Sequence, residues 1–457
     1  MAITASRIGK SPLTLNWSNL LVSDRLFNSD ESLNLDPSHF SEVWQSLRNR
    51  FDTGEVGFFD CPTQNELSQL SETKALAKSL MMGGFTDCLF LGIGGSSLGP
   101  RSLLSALRAR VRSPLRFHFQ ENPDPIDWIY TLSNLDPEKT LVLAVTKSGG
   151  TFETLAQLRL ALEWLGKNRW NSHLVAITDP KKGEIRQFCE EEGIRSLNIA
   201  PSIGGRFSIF CPVGLLAAEL SGINSDEFLA GAKQVTDYVL EVDPAKNSLF
   251  LLASELIKNF KQRPIHVFMP YSTCLREVGD WFVQLWSESL GKNKKGFTPI
   301  SAVGATDQHS ILQLLKEGPD DKVTFFVTVD RVEDPVTIPK SSSEFRKDIP
   351  TFRLLAGNSF SNLLEIEYQA TCKVLTGQKR PNLTFQLETV NERNLGSLYM
   401  ALSVLTAFCG HLWKINPFDQ PGVEEGKNYI RESLNQFRMT REPDRLSDVE
   451  RLRPADL

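Results

Sequence analysis

The sequence predicts an α/β protein built from two αβα domains in series, each a doubly wound parallel sheet, with a helical N-terminal arm and a C-terminal helical tail. Two alternations of strand-like and helical periods predict it, together with the helical interval that separates them. Length points the same way, since 457 residues exceed the roughly 250 to 300 at which a single core stops growing. We place the arm at 1–65, the first domain at 66–225, the second at 226–420 and the tail at 421–457.

Residues up to about 65 read as loops and short helices without a strong strand, and "ELSQLSETKALAKSLMM" then has a helical period. The apolar runs "DCLFLGI", "RFHF", "TLVLAVT" and "HLVAIT" follow, separated by the helical patterns "LGPRSLLSALRARV", "PDPIDWIYTL" and "TFETLAQLRLALEWL". A helical interval over about 213–262 leads to a second set of strand-like runs, "IHVFMP", "VTFFVTV" and "PNLTFQL". The polar, Pro-rich stretch 331–350 reads as an excursion from the second domain, and the charged end "MTREPDRLSDVERLRPADL" reads as exposed.

A net charge of −5 gives no basic footprint for nucleic acid. The seven cysteines (Cys61, Cys88, Cys189, Cys211, Cys274, Cys372 and Cys409) form no C-x-x-C pair and read as free thiols in a reducing compartment. The start of the chain has no apolar leader, and the longest apolar helix, "LGSLYMALSVLTAFCGHLW", is interrupted by Ser, Thr, Gly and His. No membrane association is expected, and the chain reads as a cytoplasmic protein.

Two loops carry the first functional signal. In "GIGGSSLGP", Gly94 and Gly95 let backbone N–H groups approach a ligand, Ser96 offers a hydroxyl, and a helix follows with its positive end. A tight turn that binds nothing has the same composition. The stretch also fits G-x-S-x-G from Gly95 to Gly99, which offers Ser97 as the nucleophile of an α/β-hydrolase. A dinucleotide fingerprint is not supported, because Ser97 stands where its third glycine is needed. In "TKSGGTFET", a strand ends in Thr146, Lys147, Ser148 and Thr151 just before a helix. Hydroxyls, N–H groups and a lysine thus gather at the carboxyl end of a strand as a phosphate site without Walker spacing. The same residues are also ordinary helix starters.

Candidates for chemistry lie further on. Val278, Trp281, Phe282 and Leu285 form an apolar helical stripe that continues to Glu288, one turn after Gln284, which makes Glu288 a candidate base. An exposed glutamate at a frayed stripe is the alternative. His309 falls in the first turn of a helix that Thr306 or Asp307 is placed to cap, where the helix end favours a neutral imidazole; surface placement is the plainer reading. Arg206 follows Gly204 and Gly205 and is placed either to reach a ligand or to form a salt bridge. "DQPGVEEGK" holds Gln420 and Lys427 in what also reads as a solvated charge run.

In order, GIGGSSLGP, TKSGGTFET, GGRFS, the Glu288 segment, GATDQHSILQL and DQPGVEEGK resemble the phosphoglucose isomerase family from about residue 85 to 430. The resemblance implies two sugar isomerase (SIS) domains and interconversion of glucose 6-phosphate and fructose 6-phosphate in glycolysis and gluconeogenesis. It implies no metal and a homodimer in which His309 serves the neighbouring subunit's site. Gly95, Ser96, Thr146, Lys147, Ser148 and Thr151 match substrate-binding positions. Gly205 and Arg206 match the pair beside the reacting carbons, Gln284 and Glu288 the glutamine and base, His309 the ring-opening histidine, and Gln420 and Lys427 the closing pair. Two departures are Ser97, where some members carry Asp, and Gly150, where a second Thr is common. An aldose–ketose shift removes no electron and adds no water, so no cofactor is expected. The competing readings are a non-catalytic SIS-type sugar-phosphate sensor, which needs only the two loops, and the Ser97 hydrolase, which leaves Glu288 idle.

Overall fold

The computed structural model describes residues 5–20, 37–332, 336–340 and 349–440. Part of the 331–350 excursion and everything after 440, including most of the charged end, lie outside the described residues.

Eleven described strands form two sheets: β1 (Ala5–Arg7), β2 (Leu13–Asn16), β3 (Asp87–Leu91), β4 (Arg116–Gln120), β5 (Thr140–Thr146), β6 (Leu174–Thr178), β7 (Arg195–Asn198), β8 (Ile265–Pro270), β9 (Thr298–Ser301), β10 (Lys322–Val329) and β11 (Asn382–Leu387). The first sheet has the order β4-β3-β5-β6-β7 and is parallel throughout. From β3 the chain steps outward to β4 and then back across to β5. The crevice outside the carboxyl ends of β3 and β5 is therefore a topological switch point, where ligands bind in doubly wound folds. Its central strands are buried on both faces, as their unbroken apolar runs predict.

The second sheet has the order β1-β2-β11-β10-β8-β9, and its four strands from β8 to β11 are parallel. Here the N-terminal arm departs from expectation. It contributes two strands, with β2 antiparallel to β11 and β1 antiparallel to β2. Leu13 and Leu15 alternate inward, but four residues are too few for a period to stand out, and the edge of β11 decides the conformation. The sequence reading also passed over β7 and β9, which are short, polar edge strands.

The two sheets share one apolar core. A contiguous cluster runs from Leu141 and Val145 of the first sheet through helix residues such as Leu216, Phe228 and Leu402 to Phe325 and Phe385 of the second. The helix Glu392–Leu412 lies in its middle: it is long and apolar enough to cross a membrane, yet 94% of its apolar window is buried inside the protein. It meets the helix Ser225–Glu241 at backbone distance. A Cβ on Gly396 would lie 1.9 Å from Phe228 O, and one on Gly231 1.8 Å from Arg393 O, so both positions require glycine. All seven cysteines are free.

Candidate active site

Backbone contact between two glycines sets the first wall of the site. The β3 strand leads into a 3-10 turn, Gly94–Ser96, and then into the helix Leu98–Leu107. A Cβ on Gly95 would fall 2.3 Å from Gly205 C and 2.6 Å from Arg206 N, so only glycine lets the turns meet. Ser208 fastens the junction, its hydroxyl 3.0 Å from Gly95 O and 2.7 Å from Gly205 O. Gly94, at φ +59°, faces Gln284 Nε2. The Ser96 hydroxyl has no hydrogen-bond partner among the described residues.

Ser97 lies in the same turn, but its hydroxyl is buried and bonded to the Glu121 carboxylate, which Arg101 in turn neutralises. That arrangement is a structural tie and not an exposed nucleophile elbow, which sits at the top of its turn.

The second loop follows β5. Thr146 Oγ1 lies 2.7 Å from Thr151 Oγ1, and Ser148 Oγ lies 3.3 Å from both. Thr151 occupies the N-cap position of the helix Phe152–Leu165, yet makes no side-chain cap bond; its hydroxyl joins the other two instead. Three hydroxyls thus gather beside the first N–H groups of a helix, a geometry suited to an anion. Lys147 points elsewhere: its ammonium donates to Pro201 O at 2.9 Å, and burial lowers its pKa. Gly150 opens to empty space, since nothing lies within 4 Å of a Cβ there.

Arg206 is the hub between the two halves. Its side chain is 1% exposed and every nitrogen is engaged. Nε donates to Ser289 Oγ at 2.7 Å, Nη1 to Glu288 Oε2 at 3.2 Å and Gln420 Oε1 at 3.0 Å, and Nη2 to Pro417 O at 2.6 Å and Asp419 O at 3.0 Å. Burial pushes the guanidinium's pKa down, while Glu288 and Asp419 oppose it. The two readings of Arg206, salt bridge and ligand contact, are therefore not exclusive.

Glu288 sits near the end of the helix Arg276–Leu290. The stripe Val278, Trp281, Phe282 and Leu285 is buried, and Glu288 emerges at its rim, one third exposed. Gln284 Nε2 holds its Oε1 at 2.9 Å while Arg206 holds Oε2. A carboxylate fixed at both oxygens, beside a buried cation, has the geometry of a base aimed along one line.

Two candidates stand apart. His309 is exposed near the start of the helix Gln308–Glu317, and its ring makes no hydrogen bond to Glu288, Arg206 or Gln420. Asp307 is at the N-cap position, but its side chain does not cap the helix as expected; Oδ2 accepts from Val303 N at 2.7 Å and Oδ1 from the Ser310 hydroxyl at 3.0 Å, which ties the turn instead. Lys427 is exposed on the helix Glu424–Thr440 and pairs with Glu424 at 2.7 Å. One turn further, Arg431 lies over the Phe152 ring at 5.7 Å, which brings this helix beside the hydroxyl loop. Sequence reasoning missed Ser289 and the carbonyls of Pro417 and Asp419; adjacency to Glu288 was the one signal for Ser289, and backbone acceptors leave none.

Fold and site together define a two-sheet α/β protein with a carboxylate and a buried guanidinium facing a switch-point crevice. The family pattern described as phosphoglucose isomerase matches residues 65–446. A glucose-6-phosphate isomerase of Rubrobacter xylanophilus is 41% identical over 427 residues, covering 91% of this chain and 96% of that protein. The chain belongs to the phosphoglucose isomerase family. It is also 37% identical to a glucose-6-phosphate isomerase of Carboxydothermus hydrogenoformans, over 85% of this chain and 87% of that one. Among solved structures, a hypothetical protein of Thermus thermophilus superposes with a TM-score of 0.80 at 36% identity, covering 88% of this chain and 96% of that one. The glucose-6-phosphate isomerase of Chlamydia trachomatis shares the fold, with a TM-score of 0.72 at 23% identity over 98% of this chain and 92% of that one.

Proposed function

We propose that the chain interconverts glucose 6-phosphate and fructose 6-phosphate, acting in the cytoplasm in glycolysis and gluconeogenesis. The observation that carries this reading is the Glu288 carboxylate, held by Gln284 on one oxygen and by buried Arg206 on the other. In the forward direction Glu288 takes the C2 proton of the open-chain aldose and returns it to C1, while the proton on O2 passes to O1, so that the carbonyl moves from C1 to C2. Arg206 stabilises the enediolate between these steps without taking a proton. The hydroxyls of Ser96, Thr146, Ser148 and Thr151 receive the phosphate, Lys147 adds its positive charge from its place on Pro201 O, and Gly95 and Gly205 keep the backbone clear for the sugar.

His309 and Lys427 move the proton between the ring oxygen and the anomeric hydroxyl, and Gln420 closes over the substrate. The exposure of His309, whose ring makes no hydrogen bond to Glu288 of its own chain, supports a homodimer in which it serves the neighbouring site. The domain limits at 65, 225 and 420 belong to the same proposal. A coupled assay with fructose 6-phosphate tests the reaction, and solvent deuterium appearing at C2 of the glucose 6-phosphate formed tests the proton transfer. Absence of turnover in folded protein would reject the reading.

A further inference from the structure

Lys292 lies two residues beyond the Glu288 helix, and no role in the proposed reaction has been given to it. Its side chain is only 11% exposed. The ammonium donates to Ser289 O at 3.1 Å, which satisfies a free carbonyl at the helix end, and to Asn416 O at 2.7 Å. It also pairs with Asp419 Oδ1 at 3.2 Å. Arg206 claims the neighbouring acceptors of the same turn, Pro417 O and Asp419 O. With Arg50, whose Nη2 donates to Asn416 Oδ1 at 3.2 Å, three cations thus divide the oxygens of a five-residue segment that ends in Gln420, and two of them hold its backbone. Buried cations are costly unless paired, so the turn and the cations hold one another in place.

We propose that Lys292 is a positioning residue: its ammonium clamps the 416–419 turn onto the carboxyl end of the Glu288 helix and so sets where the Gln420 amide lies beside Glu288. The clamp rests on the isomerase reading for its kinetic consequence but not for its structural one. Arg206 reaches the backbone of the turn from one side, and Arg50 holds only the Asn416 side chain and the Phe418 ring; Lys292 supplies the second backbone anchor, which stops rotation about the Arg206 contact.

The test compares Lys292→Met, Lys292→Arg and Asp419→Asn in the full chain, measuring kcat and KM for fructose 6-phosphate and amide exchange of residues 416–420. Misplacing a group by about 1 Å costs up to about 100-fold, so Lys292→Met should lower kcat about 10- to 100-fold while KM moves less than about threefold. Exchange at Asn416, Phe418, Asp419 and Gln420 should quicken, with the Gly94–Ser96 turn unchanged. Lys292→Arg should recover most of the loss, and Lys292→Met combined with Gln420→Ala should be no slower than Gln420→Ala alone. Wild-type kcat and exchange in Lys292→Met, or multiplying losses in the double variant, would overturn the proposal. If Lys292→Met does not fold, Asp419→Asn, altered on the exposed side of the pair, carries both readouts. An inactive wild type would defeat the isomerase reading, and the exchange measurement would still decide the clamp.

Discussion

Arg206 Nη1 lies 3.2 Å from Glu288 Oε2, and the same nitrogen donates to Gln420. A buried cation thus holds the candidate base on one side and the candidate closing residue on the other. The contact fixes the direction of the carboxylate and ties it to the group that would stabilise the charge it creates.

Glu288→Gln keeps the shape of this arrangement and removes the basicity. Turnover should fall by about three to six orders of magnitude, with sugar-phosphate affinity by calorimetry close to wild type. Turnover near the wild-type rate would remove Glu288 from the chemistry.

Thr151→Val deletes one of three hydroxyls in the β5 loop. Binding of a sugar phosphate should weaken by roughly 1 to 3 kcal/mol, through loss of a charge-assisted bond. An unchanged dissociation constant would put the phosphate elsewhere.

The two loop glycines should respond oppositely to a methyl group. Gly95→Ala drives a Cβ into the Gly205 backbone and should destabilise the fold by about 1 to 3 kcal/mol, with loss of turnover. Gly150→Ala enters open space at an ordinary backbone angle and should leave stability unchanged or raise it by up to about 1 kcal/mol. Thermal melts of the two variants decide; equal destabilisation would contradict the packing described.

Mixing inactive Glu288→Gln and His309→Ala proteins under conditions that exchange subunits should restore about a quarter of wild-type activity, because half of the subunit pairs are mixed and each mixed pair has one intact cleft. No recovery after proven exchange would place both residues in one chain's site.

Two buried histidines make stability depend on pH. Burial among Trp286, Phe297 and Phe325 pushes His266 down to about 3, and burial, reinforced by Arg50, pushes His411 down to about 4. Both are neutral when folded, so between these values and the ordinary 6.5 the unfolded chain binds the extra protons. Their contribution to stability is complete above about pH 6.5 and falls with pH below it, at about 1.4 kcal/mol per pH unit for each group. Urea unfolding of His266→Gln across this range should lose one proton's slope; the wild-type slope would mean that His266 titrates normally.

The longer parallel strands and both candidate ligand loops were legible because each is a local pattern: an apolar run followed, at the two loops, by glycines and hydroxyls and then a helical period. The short polar edge strands β7 and β9 lack the apolar run. Glu288 stood out for the same reason, as a charge ending an apolar stripe. What escaped depends on contacts distant in sequence. Leu13 and Leu15 are strand residues because β11 offers an edge, and Asp307 turns to Val303 and Ser310 instead of capping its helix. Lys147 was legible as a cation but not in its direction, since Pro201 O lies on another segment. The shared core of the two sheets was equally hidden, because a residue's pattern says that it is buried and not against which sheet.

The hairpin of β1 and β2 imposes an order on synthesis. These residues leave the ribosome well before their partner β11, with all the other described strands made in between. Until then the edge of β2 away from β1 is vacant, and the growing chain carries an open strand edge through the intermediate lengths. The pairing of β2 with β11 is a non-local closure, of the kind that slows folding and exposes intermediates to aggregation.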